Sequence, residues 1–123
     1  VQDMDGFGVY FGGEIAVDGD TLVVGQDSLN YLNKLFVYRR ETPGSPSSTW
    51  RLVQTIDGHD PAVKCGMSHT PPVGLYGPQW PGGKGLAVHG DVLVTTCQQT
   101  SDVAIDGGFA VIFTRDTLDS NWT

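Results

Sequence analysis

The stretch Glu14-Ile-Ala-Val-Asp-Gly-Asp-Thr-Leu-Val-Val-Gly25 occurs in two related copies in this chain of 123 residues. Its second version begins 71 residues later and reads Gly85-Leu-Ala-Val-His-Gly-Asp-Val-Leu-Val-Thr-Thr96. In both versions two short apolar runs flank a turn, Asp18-Gly-Asp20 or His89-Gly-Asp91, whose glycine supplies the positive φ angle of a tight hairpin. Repeated units of this kind cannot bury their apolar faces alone, so they stack on neighbours. We therefore expect a protein that presents binding surfaces or builds assemblies rather than one that holds a single catalytic pocket.

Each version continues into a β-meander. Seventeen glycines and seven prolines, with few long helix formers, favour an all-β chain rich in turns. The predicted strands are Ile15–Val17, Leu22–Val24, Lys34–Arg39 and Trp50–Ile56 in the first repeat, and Gly85–Val88, Val92–Cys97 and Phe109–Arg115 in the second. The predicted core consists of apolar residues of these strands: Ile15, Val17, Leu22, Val24, Phe36, Leu86, Val88, Leu93, Val111 and Phe113.

The two ends of the chain match each other through the repeat. The segment Val53–Gly58 of the first repeat aligns without a gap with Val1–Gly6. We thus predict one domain over 1–123, with repeat one at about 7–58, an inserted loop at 59–81, and repeat two at about 82–123 plus 1–6. The N-terminal strand would complete the second sheet beside Phe109–Arg115, in its own chain or in a neighbouring one. Its residues are Val1, Gln2, Asp3, Met4 and Asp5.

The repeated residues resemble the FG-GAP repeats of integrin-α-type β-propellers and microbial surface proteins. The resemblance rests on Phe7-Gly8, Ile15–Gly25, Phe36–Arg39 and Trp50, then on Leu86–Val94, Val111–Phe113 and Trp122. It implies four-stranded blades and an extracellular adhesion, lectin-like or scaffold role. Two blades cannot close a ring, and the family's calcium loop is not intact here. The expected fold is therefore two four-stranded antiparallel blade-like sheets, a partial or open propeller.

Charge and composition exclude several function classes. A net charge of −7 and a pI near 4.5 argue against nucleic acid or an anionic membrane as partner. No apolar run approaches the roughly 20 residues of a membrane span. His59, His69 and His89 lack the spacing of a zinc site, and there is no Gly-x-Ser-x-Gly elbow or acid pair for hydrolysis. We expect a protein that is not an enzyme.

The two cysteines and two early aspartates are the remaining candidates for covalent or metal chemistry. Cys65 and Cys97 are compatible with one disulfide in an oxidising compartment, which would pin the inserted loop; two reduced, buried cysteines are the alternative. Asp3 and Asp5 have the alternating oxygens that open a calcium loop, although later ligands are missing. Solvated turn aspartates are the alternative, and no other cofactor is expected.

Two segments carry glycosylation signals. Asn121-Trp122-Thr123 is an N-glycosylation sequon. The segment 42–49 has the composition of an O-glycosylated stretch, or else of an ordinary exposed hairpin loop. Its candidate acceptors are Thr42, Ser45, Ser47, Ser48 and Thr49.

These observations favour an extracellular or cell-surface structural module that assembles with copies of itself into a head-to-tail fibre or a surface layer. The alternative is an adhesion or glycan-binding fragment of a larger β-propeller, since aromatic residues near the loops could stack on sugars. In that reading Phe7, Tyr10, Phe11, Tyr31, Tyr76 and Trp80 are the candidates, and the alternative for them is a structural role between sheets.

Overall fold

The computed structural model of the chain describes residues 1–4, 11–26, 34–58, 85–100 and 107–123. Within these ranges the protein is all-β, with seven strands and no helix. The strands are β1 (Phe11–Asp18), β2 (Thr21–Gln26), β3 (Lys34–Arg40), β4 (Trp50–Asp57), β5 (Leu86–His89), β6 (Val92–Thr100) and β7 (Gly107–Thr114). All seven predicted strands are confirmed, most of them longer than the apolar runs that indicated them.

The strands form two antiparallel meanders, as the repeats predicted. Sheet A has the order β1-β2-β3-β4, and sheet B has the order β5-β6-β7. Gly19, with a φ of 55°, and Gly90, with a φ of 56°, lie in the β1–β2 and β5–β6 turns. Both angles are in the left-handed region that favours glycine, so each repeat folds its first hairpin at the predicted position.

The core lies between the two sheets. Sheet A contributes the buried side chains of Val23, Val37 and Ile56. The second repeat contributes those of Leu93, Phe113 and Trp122. Burial of a large apolar side chain stabilises a fold by about 1.5–3 kcal/mol, so this layer is the main source of cohesion between the sheets. We call the faces that meet here the inner faces of sheets A and B.

Sheet A carries a second apolar cluster on its other side, its outer face. Val24, Phe36 and Tyr38 are buried there. Half-buried residues that pack against them are Met4, Phe11, Leu22 and Trp50. The rings of Phe11 and Phe36 meet edge to face, with centroids 5.5 Å apart. Sheet A is therefore apolar on both faces.

The prediction that Ile15 and Val17 lie in the core is wrong: they are 61% and 60% exposed. They pair with Val24 and Leu22, which places them on the outer face of sheet A at its β1 edge. Because β2 is apolar at consecutive positions, its sequence does not show which face turns inward. Of the other predicted core residues, Val24, Phe36, Leu93 and Phe113 are buried, and Leu22, Leu86, Val88 and Val111 are half-buried.

The prediction of two four-stranded sheets needs a correction in the second repeat. Within the described residues sheet B has three strands, and Val1–Met4 belong to no strand. Pairing of this segment with β7 of the same chain is wrong, because the segment lies against the outer face of sheet A instead. The physical reason is that Gln2 bonds to Trp50 in sheet A. Pairing with a neighbouring chain stays a prediction, and Asp5 and the loop 59–81 lie outside the described residues.

Candidate functional site

The two repeats correspond residue by residue, and one pair of hydrogen bonds fixes the register. The Arg40 N–H donates to the Asp20 carbonyl at 3.1 Å, and the Arg115 N–H donates to the Asp91 carbonyl at 3.3 Å. Arg40 is therefore the counterpart of Arg115, although the sequence indicated Arg39. Each of these arginines lies over a tryptophan ring, Arg115 over Trp122 at 4.5 Å and Arg40 over Trp50 at 4.9 Å.

Arg115 connects the two sheets. Its Nε donates to Asp91 Oδ1, its Nη2 to the Gly90 carbonyl and its Nη1 to Thr21 Oγ1, each at 3.0 Å. Thr21 belongs to sheet A and is buried, and the Arg115 side chain is only 2% exposed. A buried guanidinium with three hydrogen bonds and a ring beneath it is well compensated for its desolvation.

A glutamine clamps the tryptophan that follows each third strand. Gln54 of β4 donates from Nε2 to the Trp122 carbonyl at 2.9 Å and accepts from the Trp122 N–H at 2.8 Å. Gln2 makes the same pair of bonds with Trp50, at 2.9 Å to the carbonyl and 2.7 Å from the N–H. Gln2 is the residue that aligns with Gln54 in the sequence. Val1–Met4 therefore lie relative to sheet A as the middle of β4 lies relative to the second repeat.

The outer face of sheet B is an aliphatic surface. Val94 pairs with Ile112 across β6 and β7, and Val92 pairs with Thr114. Ile112 is 64% exposed, and Val92 is exposed as well. Counted from Arg115 and Asp91, Ile112 and Val94 are the counterparts of Val37 and Val23, which are fully buried in sheet A.

The outer face of sheet A contains a groove of about 670 Å³ beside the N-terminal segment. Val1–Met4 line one part of it, residues 46–50 another, and the apolar residues of β1 and β2 the remainder. Burial in this cluster raises the pKa of the Tyr38 phenol. The groove is thus an apolar surface with Trp50 and the Gln2 clamp at its rim.

The edge of sheet B beyond β7 is the third feature that could bind another chain. Thr123 pairs with Thr114 through two backbone hydrogen bonds, at 3.0 and 2.9 Å. In sheet A the counterpart pair is Arg51 with Arg39, at the start of β4. Thr123 therefore occupies beside β7 the position that Arg51 occupies beside β3, and Ala110–Phe113 of β7 pair only with β6 among the described residues.

The other predicted sites are distributed over the molecule. Cys65 lies outside the described residues, and so does the side chain of Cys97, so the disulfide remains a prediction. Asp3 is exposed, and its expected partner Asp5 is not described. In the part of the chain that the structure covers, no three His, Cys, Asp or Glu side chains come together as a metal site. The same part contains no helix that is long and apolar enough to cross a membrane.

The segment 41–49 is an ordered loop between β3 and β4. The Gly44 N–H donates to Asp20 Oδ1 at 2.8 Å, which ties the loop to the β1–β2 turn. Ser48 Oγ accepts from the Thr42 N–H at 2.8 Å, and Thr49 Oγ1 donates to the Glu41 carboxylate. Several candidate hydroxyls for O-glycosylation therefore also hold the loop. Asn121 is exposed, beside the buried Trp122.

Sequence reasoning missed the two glutamines and the role of Arg40. A signal for the glutamines was present, because Val53-Gln54 and Val1-Gln2 align, but a side chain that bonds to a distant backbone has no local pattern. Comparison with protein-family models, with curated proteins and with solved structures finds no match to this chain. The FG-GAP resemblance therefore remains a prediction from the sequence.

Proposed function

We propose that this protein is a non-enzymatic structural module that associates head to tail with copies of itself, as the unit of a fibre or surface layer. The proposal rests on one observation about the two sheets. The outer face of sheet B resembles the inner face of sheet A, and the outer face of sheet A resembles the inner face of sheet B. The FG-GAP resemblance supports an extracellular or cell-surface setting.

The outer face of sheet B has the chemistry of the inner face of sheet A. Val94 and Ile112 occupy the positions of Val23 and Val37, and isoleucine offers at least as much apolar area as the valine it replaces. In sheet A these positions are 0% and 1% exposed because sheet B covers them. The same positions of sheet B would be buried only if another sheet packed on them.

The outer face of sheet A has the chemistry of the inner face of sheet B. Tyr38 and Trp50 stand where Phe113 and Trp122 stand in the second repeat, and Arg40 covers its tryptophan as Arg115 does. An aliphatic outer face at one end and an aromatic one at the other are complementary to each other rather than to themselves. Heterologous contacts of this kind produce open chains when the rotation between copies does not close a ring.

Sedimentation velocity over a range of concentrations tests the proposal. The wild-type protein should form oligomers that grow with concentration. Ile112→Lys places a charge on the outer face of sheet B, and Ile15→Lys places one on the outer face of sheet A; either should abolish chain growth. Leu118→Lys is the matched control, since Leu118 is exposed in a turn after β7 and belongs to neither face.

Mixing the two variants distinguishes head-to-tail contacts from symmetric ones. An equimolar mixture of Ile112→Lys and Ile15→Lys retains one intact face of each kind, so it should form dimers and nothing larger. If the interface joined two copies of the same face, one of the single variants would still dimerise alone. A wild-type protein that remains monomeric up to about 1 mM, where even an association of about 4 kcal/mol is half-formed, overturns the proposal.

The groove on the outer face of sheet A supports a second candidate function, glycan or peptide binding by a fragment of a larger propeller. Its rim carries Trp50, and aromatic side chains beside polar groups suit a sugar ring. Titration of neutral oligosaccharides against the monomeric Ile112→Lys variant, followed by tryptophan fluorescence, separates the two functions. Saturable binding to that monomer favours the second candidate.

A further inference from the structure

We infer that Val1–Met4 of one copy form the fourth strand of sheet B in the neighbouring copy, while Gln2 stays bound to Trp50 of its own chain. This inference rests on the proposed head-to-tail association and adds the strand that joins the copies, its register and its partner. The ligand is therefore a second copy of this chain, bound along the edge of β7 that pairs with no other described strand.

The position of Val1–Met4 supports this assignment. In the first repeat the strand β4 does two things at once: it pairs with β3, and its Gln54 clamps Trp122 of the second repeat. Val1–Met4 align with Val53–Ile56, and Gln2 already makes the matching clamp on Trp50. The segment thus lies where the fourth strand of a preceding sheet would lie, and among the described residues of the single chain it pairs with no strand.

The edge of β7 supplies that partner. Thr123 pairs with Thr114 as Arg51 pairs with Arg39, so the start of a fourth strand is already defined beside β7. A strand edge with free N–H and C=O groups recruits another strand. When sheet B of one copy packs on the outer face of sheet A of the next, the second copy's Val1–Met4 come beside that edge.

The register follows from sheet A. There Gln54 is opposite Val37 and Ile56 is opposite Leu35. Transferred through the repeat, Gln2 of one copy lies opposite Ile112 of the other, and Met4 lies opposite Ala110. Val53 lies at the irregularity between β3 and β4, so Val1 takes the corresponding unpaired position.

The pair Met4 and Ala110 provides a direct test because it cannot form within one chain. Met4 packs on the outer face of sheet A. Ala110 is opposite Thr96 and is exposed on the outer face of sheet B, which points away from sheet A. Both sheets stand between the two residues. Opposed residues of antiparallel strands have Cα atoms about 4.5–5.5 Å apart, which is within the range of a disulfide.

The experiment mixes the full-length Met4→Cys variant with the full-length Ala110→Cys variant under mild oxidation. Mass spectrometry of the non-reduced peptides identifies the linkage between the substituted positions, so that Cys65 and Cys97 do not obscure it. Met4→Cys mixed with Ala87→Cys is the matched control. Ala87 is also an exposed alanine, but it lies on β5 at the opposite edge of sheet B.

The inference predicts at least about tenfold more cross-linked peptide for the Ala110 mixture than for the Ala87 mixture, because only the former pair has disulfide geometry. Equal yields, or no cross-link in a sample that sedimentation shows to be oligomeric, overturn the strand pairing and leave the proposed association standing. A wild-type protein that stays monomeric at every concentration overturns both. The separate sedimentation measurement therefore distinguishes the two failures.

Discussion

Replacement of Gln54 by alanine tests whether the glutamine clamp holds the two repeats together. The Gln54 amide makes two hydrogen bonds with the Trp122 backbone, at 2.9 and 2.8 Å, and Trp122 is only 3% exposed. Removing the side chain leaves one N–H and one C=O without their partner near the sheet interface. An unsatisfied buried polar group costs about 1–3 kcal/mol, and water at the partly buried site offsets part of this. We expect a loss of about 2–3 kcal/mol in the free energy of unfolding.

Gln2→Ala is the matched control, because Gln2 makes the same two bonds with the Trp50 backbone. Its site is exposed in the single chain, so water can replace the lost amide. We expect the monomer to lose less than about 0.5 kcal/mol, as exposed polar substitutions usually do. In the assembled protein the same site would be covered, so Gln2→Ala should shorten the oligomers.

Urea denaturation of both variants in the monomeric Ile112→Lys background measures the difference. The slope against denaturant should be unchanged and the midpoint lowered for Gln54→Ala only. The melting temperature should fall by about 8–12 °C, since about 1 kcal/mol corresponds to about 4 °C for a domain of this size. Equal destabilisation by the two substitutions would show that the buried clamp has no special role and that the reasoning is wrong.

Three further predictions concern the same framework. Arg115→Ala should cost about 3 kcal/mol in urea denaturation, because it removes three hydrogen bonds and the ring contact of a buried cation, and Arg115→Lys should restore only part of this. Gly19→Ala and Gly90→Ala should each lower the free energy of unfolding by about 1–2 kcal/mol. The two losses should be similar, because both turns need a positive φ and a methyl group has room at either position. Burial raises the pKa of Tyr38 above 10.0, so the folded state holds the phenol proton more tightly. The contribution of the protonated phenol to the free energy of unfolding is complete below about pH 10, and it is lost as the pH rises through the pKa of the folded state. An absorbance titration of the phenolate, with Tyr38→Phe subtracted, should show one late-titrating tyrosine.

The strands and turns could be predicted because their signals are local. A glycine between two short apolar runs specifies a hairpin wherever the rest of the chain lies. The repeat then supplied the third strand of each sheet by analogy. Even the one-residue ambiguity between Arg39 and Arg40 disappears only when the backbone bond to Asp20 is seen, because two adjacent arginines give the sequence no reason to prefer either.

The assignment of faces could not be predicted in the same way. Leu22, Val23 and Val24 are consecutive and apolar, so alternation along β2 gives no preference for either face. A strand of this kind is expected where both faces are covered. Its outer face is in fact covered only in part, and the exposure of Ile15 and Val17 beside it marks the uncovered area. The error in the predicted core is therefore itself an indication of a missing partner.

The two interfaces of the proposed chain differ in their polar contacts, and one of these differences bears on the order in which they separate. Inside the chain Arg115 reaches across to Thr21 Oγ1. Between copies the counterpart of Thr21 is Val92, which offers no hydroxyl, and Arg40 instead donates to the Ser45 carbonyl of its own loop, at 2.8 Å. The contact between copies would thus lack a charge-assisted hydrogen bond that the contact between sheets has, and such bonds contribute about 1.5–3 kcal/mol. Dilution should therefore separate the copies while each remains folded, as a reversible assembly requires.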